Sequence, residues 1–254
     1  MCKDIEILKE VKDVFDKNGV TFWLDCGSLL GAVRDGKIIS WDHDFDLGLR
    51  YDEIDKINKS IDILKEKGFK VYYSDFIDNI DEKVPYGLFK DGCPIGLFVF
   101  PLDYDFCGYE MLMPIHKPGK LMDYMIWVIS LRNPELKVSH GSAVPLSITK
   151  VLTKFCSVLP EKTREKMVDV FSIVYKKIDS YHFIFLIPSD FYKKLDTIKY
   201  YGMDIKVPSP KEDYLEYRYG EDWRTPQKNF KSHALVGMYR YGKKIKTEDF
   251  VWRY

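Results

Sequence analysis

The chain is poor in cysteine, and the few it has are placed for neither bridging nor metal capture. Cys2, Cys26, Cys93, Cys107 and Cys156 are odd in number and scattered, with no C-x-x-C pair. That argues against a disulfide framework and a zinc site, and gives the expectation of a reducing, cytoplasmic setting. Long apolar runs are also lacking. The longest candidates are Leu121–Leu131 and Phe183–Pro188; the first is interrupted by Asp123 and the second is only strand-length. Neither approaches the roughly 18 residues that suggest a membrane span. No basic segment followed by an apolar one opens the sequence, so no secretory signal is expected. Net charge is absent as well. Lys+Arg and Asp+Glu both number 39, so no overall field draws the chain to nucleic acid or to an anionic membrane, and any anion site must be local. Nucleic acid is therefore not an expected partner. The five histidines are dispersed, which argues against a histidine metal site, and there is no internal repeat or low-complexity tract.

What is present is an ordinary globular composition, 46% hydrophobic over 254 residues, long enough to bury a sizeable core. Ile5, Leu8, Val11 and Phe15 recur at helical spacing, and Gly19 ends that helix. Thr21–Asp25 reads as a strand. Gly27 and Ser28 read as a turn, with Ser28 capping a short helix through Arg34. Asp44–Leu49 alternates with a period of two and reads as a second strand. Glu53–Lys67 is an amphipathic helix closed by Gly68, and Phe69–Tyr73 is a strand. Tyr86–Lys90 and Ile95–Phe100, joined by Asp91-Gly92, form a hairpin. The result is a small mixed sheet with helices on one side. Residues 104–147 read as an irregular insertion, residues 148–178 as helical with a break near Pro160, and the tail from Asp190 as short elements. The expected organisation is a catalytic core over residues 1–103. Residues 104–254 form an insertion and a C-terminal elaboration packed on that core.

The most informative segment is Ser40-Trp41-Asp42-His43-Asp44-Phe45-Asp46-Leu47-Gly48-Leu49. On a strand, residues two apart share a face, so Asp42, Asp44 and Asp46 line one side while Phe45 and Leu47 enter the core. Three adjacent carboxylates repel one another, and a bound cation relieves the repulsion. An oxygen-only ligand set favours Mg2+ or Mn2+, with phosphate oxygens completing the octahedron. Gly27 and Ser28 stand upstream at a strand-to-helix junction, where backbone N–H groups cradle phosphate. Trp41 reads as a packing wedge, and the basic residues from Lys199 to Lys246 as a solvated surface or a dock for a phosphorylated ligand.

These residues resemble a known pattern. Leu24-Asp25-Cys26-Gly27-Ser28-Leu29-Leu30-Gly31-Ala32-Val33-Arg34, followed by Ile39-Ser40-Trp41-Asp42-His43-Asp44-Phe45-Asp46, is similar to the signature of the LicD/fukutin family. A second stretch, Tyr201-Gly202, Val207-Pro208, Tyr214-Leu215 and Tyr219-Gly220-Glu221-Asp222-Trp223-Arg224-Thr225-Pro226, resembles that family's C-terminal segment. The resemblance implies an α+β fold of the nucleotidyltransferase type, with a small mixed sheet flanked by helices and a largely helical and irregular C-terminal half. It also implies transfer of a phospho-alcohol such as phosphocholine or ribitol phosphate. The donor would be CDP-linked, the acceptor a glycan or glycolipid hydroxyl, and CMP would be released. Carried over, Asp44 and Asp46 ligate Mg2+ with Asp42 assisting, and Gly27, Ser28 and Arg34 hold the donor's phosphates. Where the family usually has a third carboxylate in the later strand, this chain has Phe98. The general base then falls to Asp103 or Asp105, just downstream, or to Asp42. Two other readings stay open: transfer of NMP from an NTP to a small molecule, and a non-catalytic nucleotide- or glycan-binding relative. A lipid-linked acceptor would bring the chain to a membrane surface.

Overall fold

The structure is a computed structural model that describes residues 2–73, 84–114, 121, 124–126, 128–129, 144–228, 235–240 and 243–245. Much of the apolar run Leu121–Leu131, most of the 104–147 insertion, and Lys231 and Lys246 of the basic tail lie outside the described residues. The chain forms two compact units, Met1–Tyr109 with Leu186–Leu235, and Glu110–Phe185 with Val236–Tyr254.

The first unit is built on a five-stranded mixed sheet flanked by helices, an α+β arrangement. Its strands are β1 (Phe22–Leu24), β2 (Phe45–Arg50), β3 (Lys70–Tyr73), β4 (Pro85–Lys90) and β5 (Cys93–Phe100), in the order β1-β2-β5-β4-β3. Only the central β2–β5 pair is parallel, with Asp46 opposite Gly96 and Gly48 opposite Phe98. The β4–β5 hairpin turns through Asp91 at φ 52° and Gly92 at φ 91°, the two positive values that a two-residue hairpin turn requires.

Alternation along β2 divides the sheet into two faces. Phe45, Leu47 and Leu49 are buried with Phe22, Leu24, Ile95 and Leu97. Against them pack α1 (Cys2–Lys17) and α3 (Ile54–Glu66). Leu8, Val11 and Phe15 of α1 and Ile57, Ile61 and Leu64 of α3 are fully buried, and the Phe15 ring meets Phe22 edge-on at 5.5 Å. These are the apolar stripes that the helical spacing marks out. The opposite face carries Asp46, Gly48, Gly96, Phe98 and Phe100. A Cβ on Gly48 would overlap the Trp23 indole, so only glycine lets that ring lie flat over the sheet. Phe100 stacks with Tyr192 at 4.9 Å, and Trp23 meets the same ring tilted by 32° at 4.7 Å.

Tyr192 belongs to α6 (Asp190–Lys193), which precedes the hairpin of β8 (Leu195–Tyr200) and β9 (Met203–Pro208) and then α7 (Lys211–Tyr219). β9 packs against β1, and the Tyr201 hydroxyl accepts a hydrogen bond from Ile38 N. The second unit contains α4 (Leu146–Ser157), α5 (Glu161–Asp179) and most of a four-stranded sheet, β11-β10-β7-β6. That sheet is formed by β6 (Phe106–Pro114), β7 (Ser180–Pro188), β10 (Leu235–Arg240) and β11 (Lys243–Ile245), so the stretch read as an irregular insertion contains a strand. Tyr124, Val128, Ile129 and Cys156 form a small core there, and the Tyr124 and Thr149 hydroxyls are 2.9 Å apart.

Candidate active site

The site grows from the end of β1. Asp25 follows the last β1 residue, and its N–H donates to Asp46 O at 2.9 Å, which ties the end of β1 to the start of β2. At the same residue the chain enters α2 (Cys26–Arg34). Asp25 is the helix cap, with extended backbone and a carboxylate accepting from Cys26 N at 2.7 Å. The expected cap, Ser28, lies inside the first turn instead. Its hydroxyl reaches across to accept from Asp46 N at 2.9 Å, so it fixes the acidic segment rather than the helix end.

Asp25 is wholly buried, and two further donors converge on it. Tyr192 Oη donates at 2.8 Å and Tyr214 Oη donates to the other carboxylate oxygen. A buried carboxylate is tolerated only with partners of this kind. Cys26, the first helical residue, has φ 46°, a left-handed value that strains a non-glycine residue and is held by the cap bond. Burial pushes its thiol well up, and pushes those of Cys93 and Cys107 up to about 12 and about 11. These thiols stay protonated, which argues against a cysteine nucleophile.

The three aspartates do gather, but not by strand alternation. The ladder of β2 begins at Phe45, where β5 first offers a partner, so Asp42 and Asp44 precede the strand. A turn closed by Asp42 N donating to Ile39 O at 2.9 Å folds Asp42 back. Its carboxyl then lies against Gly27, where any Cβ would overlap Oδ2. Asp42 also shares a hydrogen bond with the Asp44 carboxyl. Burial, then that hydrogen bond and the charge of Asp44, push the Asp42 carboxyl up to about 7. Asp46 is pushed well above the usual carboxylate range, first by burial and then by repulsion from Asp44, Asp42 and Asp25. Arg218, 4% exposed on α7 and hydrogen-bonded to Tyr219, opposes that shift. Opposite Asp46, a Cβ on Gly96 would sit 2.8 Å from Oδ1, so glycine there clears room for the carboxylate.

Among the described residues no three carboxylate, histidine or cysteine side chains form a ready-made metal cage. Mg2+ does not use one: it takes one or two carboxylates and completes its octahedron with water and substrate phosphates. An all-oxygen set whose members repel one another fits such an ion. Gly27→Ala is expected to displace the Asp42 carboxyl and lower turnover by about 10-fold or more. Its Tm should shift little, because the displaced group is polar and faces solvent on one side; equal turnover of the two proteins would contradict the placement.

Two expected site residues lie elsewhere in this unit. Arg34 is at the far end of α2, about 9 Å along the axis from Ser28. Its guanidinium grips Asp35 with two hydrogen bonds, at 2.9 and 2.7 Å, holding that carboxyl below its usual range. It lines a cavity of about 20 Å³ with Tyr219, Asp222, Trp223 and Thr225, so here the C-terminal segment packs on α2. Asp103 is exposed and neighbours Arg50, at the end of β2 about 13 Å from Asp46. Phe98, read as the departure from the family pattern, occupies the Asp46 face of β5 and stacks on Phe100 at 6.4 Å. Sequence reasoning missed Tyr192, Tyr214, Gly96 and Arg218. Asp25 and Tyr214 lie within the family-like segments, and Gly96 within the Ile95–Phe100 strand, none with an assigned role. For Arg218 the available signal was a charge one turn after Tyr214, on the same helix face.

Residues 19–86 match the nucleotidyltransferase domain of LicD/FKTN/FKRP. The ribitol 5-phosphate transferase FKRP of mouse and of human is 47% identical over 49 residues, which are 19% of this chain and 10% of that protein. Protein RP689 of Rickettsia prowazekii is 29% identical over 68 residues, 27% of this chain and 26% of that one. The match thus spans from a tenth to about a quarter of these relatives' lengths. The solved structure of ANT(2")-Ia in complex with adenylyl-2"-tobramycin aligns with a TM-score of 0.31 at 12% identity, over 68% of this chain and 99% of that one. The Gly-Ser junction and the aspartate cluster both lie inside the stretch that is similar to the LicD/FKTN/FKRP nucleotidyltransferase domain.

Proposed function

We propose that the chain transfers a phospho-alcohol, such as phosphocholine or ribitol phosphate, from a CDP-linked donor to a glycan or glycolipid hydroxyl, releasing CMP. The observation that carries this reading is the gathering of Asp42, Asp44 and Asp46 against Gly27 and Ser28 at the start of α2. The similarity of this stretch to the ribitol 5-phosphate transferase FKRP supports the choice of transferred group.

Asp44 and Asp46 would hold Mg2+ or Mn2+, which when bound neutralises charge on the donor phosphates and on the departing CMP. Gly27 and Ser28 lie in the first turn of α2, whose N–H groups point out of the helix end and suit phosphate oxygens. Asp42 takes the base role, because Asp103 and Asp105 are exposed beside Arg50 and Lys193 rather than in the cluster, and Phe98 cannot serve. The acceptor oxygen bonds to the phosphorus that carries the alcohol and the pyrophosphate bridge breaks. CMP leaves with the bridging oxygen, and Asp42 receives the hydroxyl proton. A base poised near the working pH is the effective one, worth about 10²–10⁴-fold. The free buried thiols of Cys26, Cys93 and Cys107 support a reducing, cytoplasmic setting for this reaction.

The test is product release from CDP-ribitol, CDP-choline, CDP-glycerol, CTP and ATP with a glycan acceptor. Mg2+-dependent CMP from one CDP-alcohol is expected. Pyrophosphate from an NTP alone would replace this reading with NMP transfer, and Mg2+-dependent binding without product would replace it with a non-catalytic relative.

A further inference from the structure

The second unit presents an apolar stripe on the wrong side of a helix. In α4, Ile148 and Val151 are 49% and 67% exposed, Phe155 is 67% exposed, and Val158 just beyond the helix is 76% exposed. The steps of three, four and three place these side chains on one strip, at about 100° per residue. Thr149 and Cys156, on the other side of the helix, are buried in the small core. The inward face of α4 is therefore satisfied already, and the strip is a second apolar face.

Charge accompanies it. Lys154 is exposed beside the strip, and α4 contains no acidic residue. On α5, Lys162, Lys166, Val170 and Ile173 are exposed at steps of four, four and three, along one face that position Asp169 also joins by spacing, and an exposed Glu161 opens the helix, so the basic character rests mainly on α4. Both helices pack on the same core through Leu152, Met167, Val168 and Phe171. Exposed apolar side chains elsewhere among the described residues, such as Tyr104 and Tyr201, stand apart from a basic helical strip and need no explanation.

We propose that α4, with α5 beside it, docks on an anionic lipid surface. No described helix is long and apolar enough to cross a membrane. A basic helix with one apolar strip instead lies in the interface, its apolar side chains among the acyl chains and its lysines at the headgroups. A second copy of the chain is the poorer occupant. A two-fold contact across this face sets like strips opposite each other and brings lysine rows together. A leaflet of anionic lipid answers both the apolar strip and the charge. The inference is independent of which group the enzyme transfers.

The experiment is co-sedimentation of the full chain with vesicles of phosphatidylcholine, with and without phosphatidylglycerol. Wild type is expected to pellet with the anionic vesicles. V151D/F155D should stay in solution with an unchanged Tm, because both side chains already face solvent. K154Q/K162Q/K166Q should bind more weakly, by roughly fivefold per lysine at physiological salt. Absence of wild-type pelleting, equal pelleting with uncharged vesicles, or undiminished pelleting of V151D/F155D would overturn the proposal. So would a concentration-dependent dimer, lost in F155D, without vesicle binding.

Discussion

Asp46→Asn is expected to cut turnover by at least about 10³-fold while making the metal-free protein more stable at alkaline pH. The loss follows from the share of transition-state stabilisation that the proposed metal would supply, several kcal/mol, at a factor of ten per 1.36 kcal/mol. The gain follows from linkage. The Asp46 carboxyl is pushed up by burial and by repulsion from Asp44, Asp42 and Asp25, so the folded state favours its neutral form. A group raised on folding contributes stability below its unfolded value, about 4 for an aspartate, and loses that contribution as pH rises through its folded value. Asp42, raised to about 7, acts in the same sense. With a chelator present, wild-type Tm should therefore fall between about pH 4 and pH 7 and above. Asp46→Asn should flatten that slope. Asp35 and Asp52 are lowered by the hydrogen bonds from Arg34 and Arg50, and their effect falls below about pH 4, outside the window. Thermal unfolding across pH, beside a turnover assay, measures both halves. A variant less stable than wild type at high pH removes the repulsion account, and near-wild-type turnover removes the metal assignment.

Asp25→Ala is the substitution with the largest expected effect on folding. It deletes the α2 cap and takes from the Tyr192 and Tyr214 hydroxyls the carboxylate they share, leaving them only each other, at 3.0 Å, in a buried space. Loss of the cap costs about 1 kcal/mol and each buried hydroxyl left short of its partner about 1–3 kcal/mol, together a large part of the 5–15 kcal/mol typical of a domain. Tyr214→Phe, which removes one donor and leaves the others, should cost about 1–2 kcal/mol. Urea unfolding reads both. An Asp25→Ala protein within about 1 kcal/mol of wild type would show that the convergence of three donors is not what holds β1, α2 and α7 together.

Elements set by local pattern were legible in the sequence. The period of α3, the Asp91-Gly92 turn and the break at Pro160 follow from side-chain spacing and turn chemistry alone, and all appear in the structure. The aspartate cluster was legible as a cluster but not as a shape. Alternation cannot tell a paired strand from an extended approach to one; that depends on where β5, some fifty residues later, begins to pair. Asp25 holds the capping role read for Ser28, for a similar reason. Both are good helix caps, and the choice was made by tyrosines from α6 and α7 that no local rule could place beside Asp25. The α4 strip looked like any helical face, because spacing shows that a stripe exists and not which way it points.

The most direct test of the central claim is thermal stabilisation by a CDP-alcohol with and without Mg2+, in wild type and in Asp46→Asn. A ligand bound only by the native state raises its apparent stability as the logarithm of concentration over Kd. If Asp44 and Asp46 hold a metal that grips the donor's phosphates, wild type shifts only when Mg2+ is present and Asp46→Asn does not shift. A shift of equal size without Mg2+, or one preserved in Asp46→Asn, would contradict that claim.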